Sequence, residues 1–166
     1  MKLAIGSDER TALTDAVIAE LESKGHLVVR FGALSEQSSP AERRWTSAAH
    51  AVGNAVARGE CDNGILFCWT GTGVSIAANK IHGIRAALCI DAETAKGARR
   101  WNDANVLVMS LRLTSEAVAK EILREWFITL PDSDLENSAC LAALADIDEA
   151  NRNRLAKIGL IHDQKI

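Results

Sequence analysis

The sequence predicts a three-layer α/β/α sandwich around a five-stranded parallel sheet, Rossmann-like and folded as a single domain. Apolar runs of strand length alternate with helix-like stretches along the chain. These runs are too apolar to face water on either side, which is typical of parallel strands covered by helices on both faces. The chain of 166 residues, 48% hydrophobic and 25% charged, has the size and composition of one globular domain with a substantial core.

The first half of the chain contains two strands and two helices. Residues 2–6 form a short apolar strand, and residues 27–31 form a second one rich in β-branched side chains. Between them an apolar residue recurs at every fourth position, as on one face of a helix, at Leu13, Val17 and Leu21. A polar loop over 35–40 leads to a second helix whose apolar side carries Trp45, Ala49, Val52 and Val56.

The second half repeats this alternation. Strands are predicted over 65–68, 84–90 and 105–110, with helices over 91–101 and 114–127. A last helical stretch over 141–158 has no strand behind it. The predicted organisation is therefore one domain spanning 1–166, in which residues 131–166 are a C-terminal helical extension.

Charge and cysteine content exclude several classes of function. A net charge of −3 and a pI near 5.8 provide no basic surface, so nucleic acid is not an expected partner. No apolar run reaches membrane-spanning length, and the N-terminus lacks the apolar region of a signal peptide. The four cysteines have no metal-ligand spacing, so we predict no metal site and a cytoplasmic protein with reduced thiols.

The stretch over residues 64–80 carries the chemistry. An apolar strand ends at Cys68, passes through a loop with Gly71 and Gly73, and continues into a helix. Glycines let a ligand approach the backbone, and the first amides of a helix have no acceptor within it. A thiol at this position faces the same space. Cys68 is therefore either a reactive group or the last buried residue of a core strand, and both interpretations remain open.

Two loops are expected to form one ligand-binding mouth. Parallel α/β sheets bind ligands beyond the carboxyl ends of their strands. Residues 7–10 and 68–73 therefore meet if the first and third strands are neighbours. Neither a GxGxxG pattern nor a Walker loop is present, and the carboxylate of Asp8 would repel a phosphate, which argues against a nucleotide.

Several segments resemble the type B ribose-5-phosphate isomerase and galactose-6-phosphate isomerase family. The resemblance extends over about residues 2–127 and is most specific in the segments 4–8, 64–68, 70–80, 83–89 and 102–107. It implies an α/β sandwich that forms a homodimer with active sites near the subunit interface. It also implies interconversion of aldose and ketose sugars or sugar phosphates without a metal or organic cofactor.

The resemblance assigns roles to individual residues. Cys68 corresponds to the base that moves a proton between neighbouring carbons, and Thr70 to the hydroxyl that helps to open the sugar ring. Asp8 corresponds to an acidic residue at the substrate hydroxyls. The backbone from Gly71 to Ser75 corresponds to the hole that holds the negative charge of a cis-enediolate. The residues expected to contact substrate are Ser7, Glu9, Arg10, Trp69, Gly71, Thr72, Gly73, Ser75, Trp101 and Asn102.

The departures from the family pattern concern phosphate binding and ring opening. Glu9 and Trp101 stand where the family has histidines, and Trp69 replaces a glycine of the anion loop. Ala139 and Ala143 align with the two arginines of the phosphate clamp. A carboxylate, an indole and two methyl groups provide none of the lost cations or proton relays.

Three hypotheses remain open at this point. The first is an aldose–ketose isomerase whose specificity has moved away from ribose 5-phosphate. The second is a non-catalytic partner subunit or sugar-binding homologue. The third is an ordinary ribose-5-phosphate isomerase in which another cation, such as Arg10, has rebuilt the phosphate clamp.

Overall fold

The computed structural model describes residues 1–157, in which five strands and six helices follow one another. Residues 158–166, the end of the predicted C-terminal helical extension, lie outside the described residues. In chain order the elements are β1 (Lys2–Ser7), α1 (Ala12–Ser23), β2 (Leu27–Gly32), α2 (Trp45–Ala57), β3 (Asn63–Cys68), α3 (Thr72–Ala78), β4 (Ala86–Leu88), α4 (Ala92–Asn102), β5 (Val106–Ser110), α5 (Glu116–Ile128) and α6 (Leu135–Lys157).

The five strands form one parallel sheet in the order β2-β1-β3-β5-β4, which confirms the predicted fold class. Strands β1 and β3 are direct neighbours, with Ser7 opposite Phe67. Strand β5 lies on the other side of β3 and places Ser110 opposite Cys68. The loops that follow Ser7, Cys68 and Ser110 therefore emerge together at the carboxyl edge of the sheet.

Alternate residues of β3 divide the core into two layers. Ile65 and Phe67 pack on one face of the sheet, in a cluster with side chains of α1, α4 and α5. Leu66 and Cys68 pack on the opposite face, in a cluster with side chains of α2 and α3. Because successive strand residues point to opposite faces, a strand buried on both sides must be apolar throughout, as the sequence predicts.

Helix α2 packs unusually close to the sheet because glycines stand beneath it. A Cβ at Gly6 would lie 2.8 Å from Val52 Cγ2, and a Cβ at Gly64 would lie 2.8 Å from Val52 Cγ1. Any larger residue at either position would push the helix away from β1 and β3. This close packing fixes the start of α2, and with it Trp45, near the carboxyl edge of the sheet.

The fourth strand is shorter than the predicted 84–90. It is the edge strand of the sheet and pairs only over Ala86–Leu88. The amide of Arg85 donates to Asn105 Oδ1, and the amide of Ala86 donates to Asn79 Oδ1, both at 2.8 Å. Asn105 takes up a backbone amide that a longer ladder would have used, and Asn79 bonds to Ala86 at the open edge of the sheet.

The last helix begins earlier than the predicted residue 141. Asp134 Oδ1 accepts the amide of Asn137 at 2.7 Å, an N-cap bond that starts α6 at Leu135. The described chain divides into two compact units, Met1–Pro131 with the sheet and a second unit, starting at Asp132, that contains α6. Within the described residues no helix is both long and apolar enough to cross a membrane.

Candidate active site

An open cleft of about 240 Å³ lies at the carboxyl ends of β1 and β3. It forms where the loop after β1, the loop after β3 and the first residue of α2 come together. Apart from Trp45, all of its lining residues are among those the sequence indicates. The lining residues are Asp8, Trp45, Cys68, Trp69, Thr70, Thr72 and Gly73.

Cys68 ends β3 at the base of this cleft. Its residue is only 5% exposed and packs in the same cluster as Leu66 and Val74. Its sulfur is a free thiol. The residue is thus both a core residue and a lining residue, so the two interpretations left open by the sequence describe one position.

The other buried cysteines do not compete for the role of a base. Burial raises the pKa of the Cys89 thiol to about 12 and also raises the pKa of Cys61. Neither residue borders the cleft. Both thiols therefore stay protonated at neutral pH, and these residues contribute to core packing.

The loop after Cys68 presents a series of backbone amides. Gly71 adopts a φ of 81°, and a Cβ there would collide with Leu88, so only glycine fits this turn. Within the described part of the chain, no amide from Thr70 to Val74 donates a hydrogen bond. The amide of Ser75, in contrast, is bonded to the carbonyl of Gly71 at 3.2 Å. Amides without acceptors at the start of a helix suit an anionic ligand.

Two hydroxyl groups lie on the same loop. Thr70 Oγ1 and Thr72 Oγ1 are 2.8 Å apart and share a hydrogen bond. Each hydroxyl can still donate or accept one further bond, so the pair adapts to either polarity in a ligand.

Asp8 contributes a carboxylate that has been partly removed from water. Its Oδ1 is buried and has no hydrogen-bond partner among the described residues. Burial raises the pKa of Asp8 above its usual value, and the nearby charge of Glu9 raises it further. A buried acceptor without a donor is costly, and a ligand hydroxyl in the cleft would satisfy it.

The neighbours of Asp8 shape the loop and do not line the cleft. Ser7 is fully buried, and its Oγ accepts the amide of Glu9 at 3.2 Å. The side chain of Glu9 is exposed. Arg10 Nε donates to Asp15 Oδ1 at 2.8 Å, so its guanidinium is already paired with a carboxylate.

Two tryptophans form the walls of the cleft. Trp45 is 43% exposed, and its ring covers Gly73 so closely that a Cβ there would lie 3.2 Å from Trp45 Cε3. Trp69 is 59% exposed on the loop itself. Sequence reasoning missed Trp45 as a site residue. The available signal was its position at the start of a helix that follows a strand, which is also at the carboxyl edge of the sheet.

Three of the predicted site residues lie elsewhere. The Ser75 hydroxyl lies 3.5 Å from the carbonyl of Ala86, on the β4 side. Trp101 and Asn102 end α4, where the Asn102 carbonyl accepts Arg85 Nε at 3.1 Å and the Trp101 ring packs on Gly97. None of the three lines the cleft.

Asp8 is the only ionisable group besides Cys68 that lines the cleft, as far as the structure describes the chain. No lysine, arginine or histidine is among the lining residues. In the same described range, no group of three His, Cys, Asp or Glu side chains is arranged to hold a metal ion. The cleft is therefore suited to neutral hydroxyls and to an anion that backbone amides can bind.

The chain is similar to known sugar isomerases. A family profile described as "Ribose/Galactose Isomerase" matches residues 3–139. The chain is 35% identical to ribose-5-P isomerase B of Listeria innocua over 156 residues, covering 92% of this chain and 100% of that protein. It is 34% identical to D-erythrulose-4-phosphate isomerase of Pectobacterium atrosepticum over 127 residues, covering 76% and 82%.

A solved structure shows the same fold. Ribose-5-phosphate isomerase B of Clostridium thermocellum superposes with a TM-score of 0.81 at 32% sequence identity, covering 91% of this chain and 99% of that one. The resemblance seen in the sequence is thus confirmed. The chain belongs to the ribose/galactose isomerase family of enzymes.

Proposed function

We propose that this chain is an aldose–ketose isomerase that acts through a cis-enediolate on a short, open-chain sugar, with specificity altered from ribose 5-phosphate. One observation carries the proposal. A single cleft brings together a thiol, a loop of backbone amides without acceptors and a carboxylate oxygen without a donor, and its lining includes no cationic side chain.

Cys68 is the proposed base. As a thiolate it removes the proton from the carbon next to the carbonyl, and the electron pair of that C–H bond forms the carbon–carbon double bond of the enediolate. The carbonyl oxygen gains the negative charge. The proton of the neighbouring hydroxyl then passes to this oxygen, and the thiol returns its proton to the former carbonyl carbon. The neighbouring carbon becomes the new carbonyl, so that the sugar is isomerised and the thiolate is restored.

The loop amides stabilise the intermediate. Amides from Thr70 to Val74 have no acceptor within the described residues and are available to the enediolate oxygens. Donors that are fixed before the reaction need no reorganisation as the charge develops. The Thr70–Thr72 hydroxyl pair adds a donor that can rotate towards the oxygen as its charge changes.

Asp8 is proposed to hold a substrate hydroxyl. Its buried Oδ1 accepts a hydrogen bond from the hydroxyl, and this bond replaces the hydration that the carboxylate has lost. The side chain therefore selects for hydroxylated substrates and orients the chain of carbons relative to Cys68.

The substrate class follows from what the cleft lacks. The lining has no cation to clamp the distant phosphate of a pentose, and Arg10 is paired with Asp15. The indole of Trp101 can donate a hydrogen bond but cannot accept or relay a proton for ring opening. A four-carbon sugar substituted on O4 has no hydroxyl left to close a stable ring. Such a tetrose needs no ring-opening group, and one relative is named as an isomerase of D-erythrulose 4-phosphate.

A homodimer is part of the proposal. The family resemblance implies active sites near a subunit interface, and exposed apolar side chains such as Ile76, Trp101 and Leu113 are available on the sheet-containing unit. Trp101 and Asn102, which do not line the cleft of their own chain, are the residues that a second copy would supply. Sedimentation at micromolar concentration should give the mass of a dimer, and a monomer there would contradict this part. The cytoplasmic location stays a prediction.

Proton exchange is the direct test of the function. We expect the chain in heavy water to incorporate deuterium into tetroses next to the carbonyl, measured by NMR across C3 to C6 aldoses and ketoses with and without phosphate. Exchange into ribose 5-phosphate should be at least ~100-fold slower, because each lost charged hydrogen bond to phosphate costs about 1.5–3 kcal/mol. Efficient ribose 5-phosphate turnover that Arg10→Ala abolishes would support the rebuilt clamp. Exchange into no sugar would support the non-catalytic homologue.

A further inference from the structure

We propose that Ser110 is a positioning residue that fixes the direction of the Thr70 amide and so makes this amide one of the donors to the enediolate. The inference rests on the proposed function and deepens it. It rests on the hydrogen bonds between the loop after β5 and the backbone that follows Cys68.

Ser110 is the last residue of β5 and lies opposite Cys68 in the sheet. It is 1% exposed, in a position otherwise suited to an apolar residue. Its Oγ donates to the carbonyl of Trp69 at 2.9 Å and accepts the amide of Leu113 at 3.2 Å. This buried hydroxyl therefore both donates and accepts a hydrogen bond, as buried polar groups normally do.

Amides of the loop after β5 donate hydrogen bonds to two consecutive carbonyls at the start of residues 68–73, which we call the catalytic loop. The Leu111 amide donates to the Cys68 carbonyl, and the Arg112 amide donates to the Trp69 carbonyl, both at 3.0 Å. The Trp69 carbonyl therefore accepts two bonds, one from Ser110 Oγ and one from Arg112 N. These bonds determine the plane of the peptide between Trp69 and Thr70.

A planar trans peptide turns this constraint into a direction for the next amide. The C=O and the N–H of one peptide point to opposite sides. The Trp69 carbonyl points towards the β5 side, so the Thr70 N–H points towards the β1 side. Because β3 lies between β5 and β1, that side is the one where Asp8 follows β1 and where the cleft opens.

The Thr70 amide has no acceptor among the described residues, although Thr70 lines the cleft. Ser110 thus acts on the substrate through the Trp69 carbonyl and does not contact the substrate itself. Loss of the Ser110 hydroxyl leaves the Trp69 carbonyl with the single bond from Arg112 and lets the peptide rotate. A rotated peptide moves the Thr70 N–H away from the charge that develops during the reaction.

The test compares two serine hydroxyls on the same β5–α5 connection. In Ser110→Ala we expect kcat for the best substrate of the proton-exchange panel to fall about tenfold, while KM changes less than twofold. The same variant should bind D-glycerohydroxamate, a planar analogue of the enediolate of a tetrose, about tenfold more weakly by calorimetry. Ser110→Thr keeps the hydroxyl and should restore most of both.

Ser115→Ala is the matched control. Ser115 Oγ accepts the Val118 amide at 3.3 Å and caps α5 without contacting the catalytic loop. We expect this variant to lower the melting temperature and to leave kcat and hydroxamate affinity unchanged. A Ser110→Ala variant that behaves like Ser115→Ala would overturn the inference, even if Ser110→Thr does not fold. Calorimetry needs no turnover, so it tests the inference on Ser110 independently of activity. An unmodified chain without isomerase activity would instead refute the proposed function.

Discussion

Most polar groups are treated in opposite ways at the two ends of the parallel sheet, with His26 Nδ1 as an unpaired exception at the amino end. At the amino end, Trp126 Nε1 donates to Asn63 Oδ1 at 3.0 Å, and Arg85 pairs with Asp103 at 2.7 Å. The amide of Lys2 donates to Asp62 Oδ2, also at 2.7 Å. At the carboxyl end, the loop amides after Thr70 have no acceptor among the described residues, and Asp8 Oδ1 has no donor.

This difference separates stability from function along the same strands. Groups that are paired within the chain stabilise the fold, whereas groups left without a partner are available to a ligand and cost stability until one binds. Substitutions at the amino end should therefore change stability more than activity, and substitutions at the carboxyl end should do the reverse.

The largest effect is expected at the cysteines that stand at the two ends of β3. Cys68→Ala should lower kcat by roughly 10²–10⁴-fold, the usual contribution of a general base. Cys61→Ala, just before β3, removes an equally buried sulfur and should cost about 1 kcal/mol of stability without loss of kcat. Steady-state kinetics and thermal unfolding of both variants decide the matter. A Cys68→Ala variant that melts early and turns over normally would show that Cys68 is only a core residue.

The next effect concerns the amino end alone. Trp126→Phe keeps the buried aromatic ring but leaves Asn63 Oδ1 without its donor. We expect a loss of about 1–3 kcal/mol in the free energy of unfolding, measured in urea, because an unsatisfied buried acceptor carries its desolvation cost. The kcat should stay within twofold of the unmodified chain. A large fall in kcat with intact folding would contradict the separation of the two ends.

At the carboxyl end, Asp8→Asn should raise the stability of the fold and weaken substrate binding. The raised pKa of Asp8 means that the folded state disfavours the carboxylate, so this side chain destabilises the fold at every pH above its unfolded pKa of 3.8. The variant should melt at a higher temperature at pH 7 and lose this gain as the pH falls through the raised pKa of the folded state towards 3.8. Its KM should rise, because an amide is a weaker acceptor for a substrate hydroxyl. A lower melting temperature at pH 7 would contradict the cost assigned to Asp8.

The smallest effect is a pH dependence at the amino end. Burial lowers the pKa of His26, whose ring stacks on Phe127 with centroids 5.0 Å apart and whose Nδ1 is buried without a partner in the described residues. The unfolded chain then binds more protons near pH 6.5, so stability should fall slightly as the pH drops through that value. His26→Phe should remove this step in thermal unfolding curves without changing kcat. A step that persists in the variant would assign it to another group.

The order of the elements could be predicted from the sequence, because buried parallel strands leave long apolar runs such as 65–68. Their ends were less predictable. Strand β4 starts where Asn105 and Asn79 bond to the amides of Arg85 and Ala86. Such side-chain contacts have no periodic signal in the sequence. Helix α6 starts early because of the single capping bond of Asp134.

The site was predictable where it follows the chain and less so where it depends on packing. Residues 68–73 come together as a loop, so the sequence could indicate them directly. Trp45 reaches the cleft only because Gly6 and Gly64 let α2 approach the sheet. The role of Ser110 depends on strand register, which places it opposite Cys68 from a distant part of the sequence.

Amide chemical shifts measured during a titration with D-glycerohydroxamate report on both ends of the sheet in one experiment. We expect the largest ¹⁵N and ¹H shifts on Asp8, which lines the cleft, and on residues 70–74, whose amides have no acceptor among the described residues. Shifts at Asn63, Asp103 and Asn105 should be small, since their polar groups are already bonded within the chain. Largest shifts at the amino end, with residues 70–74 unchanged at saturation, would show that the ligand does not bind to the loop after Cys68.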